Sequence, residues 1–197
     1  MVTTTKKFTL AEFLDFDDGT DQRYELEHGE LRKIPSESDL NNQIAIYLMS
    51  VFLQFISPRL LRRGSEVVVT GSRATVRVPD LMVLTEELAT ALKGASRSIS
   101  TSDMPPPALV VETVSPGKEN STRDYRYKRS EYAARGISEY WIVDPGQAQV
   151  IVLTLVDGLY EEAVCQGETR LVSKVFPALE LTAQQVLWAG EDIDIKV

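Results

Sequence analysis

Ala108-Leu109-Val110-Val111-Glu112-Thr113-Val114 is an apolar run broken by a single carboxylate. A run this continuous reads as a central strand covered on both faces. An ionised carboxylate in such a place costs several kcal/mol unless a metal ion, a lysine or an arginine compensates it, or it takes up a proton. Glu112 is therefore the residue around which the rest is read. Upstream, Val78-Pro79 leads into Asp80-Leu81-Met82-Val83-Leu84, so Asp80 stands at the head of the preceding strand. Two carboxylates on adjacent strands can bracket one cation.

Working outward, Thr9 with Glu12 forms a capping box for a short helix ending near Leu14. Arg23–Glu27 and Glu30–Ile34 flank His28-Gly29 as a hairpin. Ser38 and Asp39 are caps for a helix from Leu40 to Phe55, with Ile44, Tyr47, Leu48, Val51, Phe52 and Phe55 at helical spacing. Glu66–Thr70 and Ala74–Val78 are β-branched strands around a turn at Gly71. Residues 85–107 read as an insertion with a short helix at Glu86–Leu92, a Ser-rich loop and three prolines. After the Glu112 strand a helix runs from Ser121 to Arg135, stopped by Gly136. Glu139–Val143 is the next strand, Val150–Val156 and Leu159–Val164 form a hairpin, and a short helix at Ala183–Leu187 follows. The pattern predicts a single α/β (α+β) domain over 1–197, with its core at about 8–187. A mixed central sheet is flanked by helices, with an N-terminal hairpin and a C-terminal β-hairpin.

Composition excludes several chemistries. One histidine, His28, rules out two-histidine metal motifs, and one cysteine, Cys165, rules out Cys/His zinc fingers and an internal disulfide. Any metal is thus held by oxygen, which favours Mg²⁺ or Mn²⁺. With no apolar run of membrane-spanning length and no signal-peptide pattern in MVTTTKKFTL, the expectation is a cytoplasmic protein without a membrane partner. Net charge is −8, but it is unevenly spread: residues 1–39 carry −5, 40–143 carry +3 and 144–197 carry −6. Arg59, Arg62, Arg63, Arg73 and Arg77 cluster in one stretch, and Arg123, Arg126, Lys128, Arg129 and Arg135 in another. These are either solvated faces or a basic rim around an anion-binding cleft. Asp124 and Lys128, four apart, read equally as a surface ion pair. Tyr132 reads as core packing.

Pro79-Asp80 followed by Glu112 is similar to the PD-(D/E)xK nuclease signature. Tyr24-Glu25-Leu26, Val78-Pro79-Asp80, Val111-Glu112-Thr113-Val114-Ser115-Pro116, Lys128, Tyr132 and Gly136-Ile137-Ser138-Glu139-Tyr140-Trp141-Ile142-Val143-Asp144-Pro145 together resemble the Uma2 (DUF820) family, abundant in cyanobacteria. The resemblance implies a restriction-endonuclease-like fold and a Mg²⁺-dependent (or Mn²⁺-dependent) endonuclease acting on DNA. Asp80 and Glu112 would be its ligands, Glu25 a further ligand, and Lys128 the catalytic lysine. The alternative is a non-catalytic binding module that retains the metal-site geometry. Two departures stand out. Val114 occupies the place where the general signature has its lysine, and Asn41-Asn42 stand where the family commonly has a histidine. Exposed strand edges are compatible with a homodimer.

Overall fold

In the computed structural model, which describes residues 6–70, 73–115, 117, 122–189 and 191, every expected strand forms, but the strands divide between two sheets. The Gly71 turn, Pro116, the helix start at Ser121 and the tail with Asp192 and Asp194 lie outside the described residues. The chain begins with α1 (Leu10–Leu14), closed by the expected Thr9–Glu12 capping box. Strands β1 (Tyr24–Glu27) and β2 (Glu30–Lys33) pair antiparallel through the His28-Gly29 turn, where both residues have positive φ. Helix α2 (Asp39–Phe52) is capped by Ser38 and stops short of Phe55. A single 3₁₀ turn leads to β3 (Leu61–Arg62), β4 (Glu66–Thr70), β5 (Thr75–Arg77) and β6 (Leu81–Val83). Next come α3 (Glu86–Ala91), β7 (Ile99–Ser100) and β8 (Leu109–Thr113). A π-helical stretch (Arg123–Lys128) runs directly into α4 (Arg129–Arg135), where Gly136 adopts φ 80° at the C-cap. The chain then forms β9 (Glu139–Asp144), β10 (Gln149–Val156), β11 (Leu159–Gln166) and α5 (Ala183–Leu187).

The six-stranded sheet has the order β11-β10-β9-β8-β6-β3, and the five-stranded sheet β2-β1-β5-β4-β7. The expectation of one mixed sheet is corrected here. The β4/β5 hairpin joins the N-terminal hairpin through Leu26 opposite Val76, not the strand that follows it. Strand β8 is central, parallel to β9 and antiparallel to β6, with Leu81 and Trp141 both opposite Val111.

Alternation along these strands makes two cores. Leu81, Val83, Leu109, Val111, Trp141 and Val143 face α2 and α5, packing on Ile44, Leu48, Phe52 and Val186. Met82, Val110, Tyr140 and Ile142 face the other way, onto Tyr132 of α4 and Val67 and Val69 of β4. By the same period of two, Glu112 shares the face of Val110 and is turned toward the helix that bears Lys128 and Tyr132. Strand β4 turns Val68 into a third, smaller core with Phe13, Leu26, Val76 and Ile99.

The sheets are also joined by charge. Arg77, which the sequence placed on either a solvated face or a basic rim, is completely buried. Its guanidinium donates to Glu25 Oε2 (3.1 Å) and Glu27 Oε1 (3.1 Å) on β1, and to Glu131 Oε2 (2.8 Å) and Oε1 (3.0 Å) on α4. Burial opposes its charge, yet the Glu131 hydrogen bonds and the fields of Glu25 and Glu27 hold it above the usual arginine range. Arg135 is likewise taken up, donating to the Thr101 and Met104 carbonyls (both 2.8 Å). Removing one member of a buried charged set leaves the others uncompensated. Arg77→Met should therefore lower unfolding stability by about 3–5 kcal/mol in urea denaturation. A loss under about 1 kcal/mol would mean that Glu25 and Glu131 find water or other donors.

Candidate active site

The ends of β6 and β8 come together where the ladder between them stops. Their last paired residues are Leu81 and Val111, and beyond them Asp80 Oδ2 accepts a hydrogen bond from the Thr113 backbone N–H at 2.6 Å. Asp80 thus continues the ladder with its side chain, which fixes it beside the Glu112 strand.

Glu112 itself is 3% exposed. Tyr132 donates its hydroxyl to Oε1 at 2.6 Å, and the Lys128 ammonium meets Oε2 at 2.7 Å. The same ammonium lies 3.1 Å from Asp124 Oδ1, and both Lys128 and Asp124 are buried. The ammonium beside Glu112 thus comes from the following helix, while position 114 is a valine. Asp124 and Lys128 form an interior pair inside the cleft, not a surface one. Tyr132, one turn on, packs edge-on against Tyr140 and also holds the site carboxylate.

The Glu112, Lys128 and Asp124 side chains line an open cleft of about 1280 Å³, with Tyr132 behind them. Asp80, Glu112, Lys128 and Glu25, the four residues singled out from sequence, all line it. Asp124 and Arg123 line it too and were not singled out. The available signal was the spacing of Asp124, Lys128 and Tyr132 at successive fours, which places all three on one helix face. Asn42 also lines the cleft, while the Asn41 amide reaches the Thr113 carbonyl and Ser115 Oγ at 3.5 and 3.4 Å. Arg126 is exposed, and Arg129 pairs with Glu162.

Burial pushes Glu112 up to about 8; the Lys128 ammonium pulls it down by less, and Asp80, Asp124 and Glu25 add to the rise. Burial likewise raises Asp80 to about 6 against the Thr113 N–H and Lys128, both of which lower it. Burial disfavours the Lys128 ammonium, but Glu112, Asp124 and Glu25 outweigh it, so Lys128 is held above the usual lysine range. For Glu25 burial is overcome by Lys128, Arg77 and the Val78 N–H, leaving its carboxyl below the ordinary value.

Four carboxylates (Glu25, Asp80, Glu112, Asp124) thus share a floor with two cations, Arg123 and Lys128. A hard divalent cation suits that excess of oxygen charge. Among the described residues, however, no three His, Cys, Asp or Glu side chains gather to hold a metal between them. Glu25 Oε1 accepts from the Val78 N–H (3.0 Å) and Oε2 from Arg77. Asp80, Glu112 and Glu25 stand as candidate ligands, since a carboxylate oxygen that already accepts one donor keeps a further lone pair. Mg²⁺ commonly sits on one or two carboxylates with water or phosphate completing its shell.

Residues 10–184 match the model of the Uma2 family, described as "Putative restriction endonuclease". A crystal structure from Anabaena variabilis, described as "a putative nuclease belonging to DUF820", superposes with a TM-score of 0.72 at 19% identity. The match covers 92% of this chain and 98% of that one, and shows a shared fold. No curated protein matches the chain.

The raised carboxyls give the metal-free protein a definite pH dependence. Unfolded, both titrate near pH ~4; folded, they keep their protons to about 6 and about 8. Between those limits the native state binds more protons at these two groups, so their contribution is full below pH ~4 and is lost as pH rises through the folded values, while Glu25, held below its ordinary value, works in the opposite direction. Asp80→Asn, whose amide oxygen can still accept from Thr113, should remove the Asp80 share of that loss. In EDTA it should stabilise the protein by about 1–3 kcal/mol at pH 7 and by almost nothing near pH 4. A less stable variant at pH 7 would show that attraction to Lys128 outweighs burial.

Proposed function

The chain belongs to the Uma2 family, and from that premise we propose that it is a metal-dependent endonuclease that hydrolyses DNA phosphodiester bonds. Asp80 and Glu112 are assigned as the ligands of Mg²⁺ or Mn²⁺, and Lys128 as the catalytic lysine. The observation that carries the reading is the buried Lys128 ammonium, 2.7 Å from Glu112 at the floor of the open cleft.

When bound, the metal would lower the pKa of the attacking water and neutralise charge on the phosphate. The protein's own groups do the rest. Lys128 stays cationic throughout the neutral range, so it cannot act as a general base there. Its role is to donate toward oxygen that becomes more negative as the P–O bond breaks, from a side chain that is itself buried. Asp124 and Glu112 hold the ammonium from two sides, which fixes its direction before substrate arrives. Tyr132 keeps the Glu112 carboxyl plane from turning away. Asp80 is fixed by the backbone, so both carboxylates are preorganised on strand ends, not on loops.

The reading is tested by titrating Mg²⁺ and Mn²⁺ in a cleavage assay with wild type and Asp80→Ala. Wild type should cut only with metal, EDTA should stop cleavage without altering circular dichroism, and Asp80→Ala should be inactive. Lys128→Ala should lower the cleavage rate about 100-fold, the loss expected for one transition-state contact, with metal affinity nearly unchanged. Lys128→Arg should rescue poorly, because a planar guanidinium cannot occupy the space of an ammonium between two carboxylates. DNA bound but uncut at every metal concentration would instead identify a binding module.

A further inference from the structure

Two of the three Lys128 N–H donors are already taken. Its ammonium is clasped by Glu112 and Asp124 and is almost sealed from solvent, so it is poorly placed to capture an incoming anion by itself. Arg123, at the other end of the same π-helical stretch, is differently arranged. Its side chain is 31% exposed and lines the cleft. Its only hydrogen bond among the described residues is a long one, from Nε to Asp124 Oδ1 at 3.4 Å. Neither terminal nitrogen has a hydrogen-bond acceptor among the described residues. The guanidinium keeps its charge: burial disfavours it, but Asp124, Glu25 and Glu112 hold it above the usual arginine range.

The winding explains how Arg123 reaches the site. In an α-helix, residues five apart diverge to different faces, so Arg123 and Lys128 would not both look into the cleft. The π-helical stretch Arg123–Lys128 widens each turn to an i→i+5 repeat, which brings such residues into line. A planar fork with spare N–H donors, two-thirds covered and open toward a cleft, matches two phosphate oxygens bidentately.

We propose that Arg123 is the substrate-gripping arginine of the cleft, its terminal N–H groups taking the non-bridging oxygens of the scissile phosphate. This assignment rests on the nuclease reading above. Arg123 supplies the affinity at the reacting phosphate, and Lys128 supplies charge to the bond being broken. Nothing is covalently transferred to either side chain.

The test is binding of fluorescein-labelled single-stranded and duplex oligonucleotides by anisotropy, in EDTA and again in Ca²⁺, across a salt series. Loss of one phosphate contact flattens the slope of log K against log salt by about 0.7 on a single strand or about 0.9 on a duplex. Arg123→Gln should show that flattening and bind about tenfold more weakly, as expected for one charge-assisted bidentate contact. Arg123→Lys should keep the slope while recovering only part of the affinity, and it also guards against a folding defect in Arg123→Gln. Arg126→Gln, on the same stretch but exposed, should keep the wild-type slope. Under turnover at saturating DNA with Mg²⁺, kcat of Arg123→Gln should fall as well. A wild-type slope for Arg123→Gln, or an equal flattening for Arg126→Gln, overturns the proposal. A change in KM alone would move the contact to a flanking phosphate and overturn the scissile assignment. If wild type binds neither oligonucleotide in a salt-dependent way, the nuclease reading itself fails and Arg123 falls with it. Binding by wild type together with an unchanged Arg123→Gln isolates the failure to Arg123.

Discussion

A carboxylate at the end of a strand buried on both faces must be compensated, and much of the molecule follows from how Glu112 is satisfied. Its strand is central, so no solvent reaches it from the side. The compensating ammonium comes from across the sheet face, which requires the next helix to lie over that face with Lys128 pointing down. Tyr132 then takes the second oxygen. Asp80 is brought in from the other neighbouring strand by the Thr113 N–H that the shortened ladder leaves over. An uncompensated buried carboxylate would cost several kcal/mol, so these contacts are conditions for folding as well as parts of a site. That double duty ties the geometry of the candidate site to the stability of the fold.

A second buried charge extends the arrangement to the other sheet. Arg77 holds Glu25 and Glu27 of the N-terminal hairpin and Glu131 of α4. Glu131 lies three residues after Lys128, so the helix that delivers the lysine is anchored at one end to the sheet opposite the one it serves. Replacing this ion set by apolar residues would not by itself weaken the fold, because desolvation of so many charges offsets most of their attraction. What the charges add is direction: Glu25 is turned to Arg77 and Val78 and held in the wall of the cleft.

Much of this was legible from residues alone, and what was not has identifiable physical causes. The capping box at Thr9, the Ser38 cap, both hairpins and the buried strand at Glu112 are local features, and local chemistry determines them. The division into two sheets is not local. A period of two tells which residues share a face but not which strand lies alongside, and β4 and β5 have the β-branched composition of either sheet. Arg77 was misread for a related reason: a β-strand arginine looks the same whether it meets water or three glutamates from distant parts of the chain. The pairing of Asp124 with Lys128 at a spacing of four was visible, but spacing does not report burial. The π-helical winding left no composition signal, so Arg123 could be grouped only with its exposed neighbours. The departure at Val114 was informative because it directed attention to a lysine on another element, and Lys128 does meet Glu112.

The charge distribution changes meaning once partners are assigned. The basic middle of the chain suggested a broad phosphate-binding surface, but most of its arginines are engaged within the protein. Arg59 pairs with Glu86, Arg97 with Glu66 and Arg129 with Glu162, while Arg77 and Arg135 are taken up inside the fold. The cleft walls draw cations from elsewhere: Arg23, Arg32 and Lys33 belong to the acidic N-terminal segment. Arg32 there is shared with Glu27 and Glu30, and Arg63 with Glu37. A protein of charge −8 therefore offers an anion only a short, local attraction, confined to groups around the floor. Long-range steering along a duplex would be weak, and recognition would depend on contacts made after the strand has entered the cleft. On the proposed nuclease reading, the acidic remainder would repel nucleic acid from the surface outside the cleft and so favour engagement at the site over engagement along the surface.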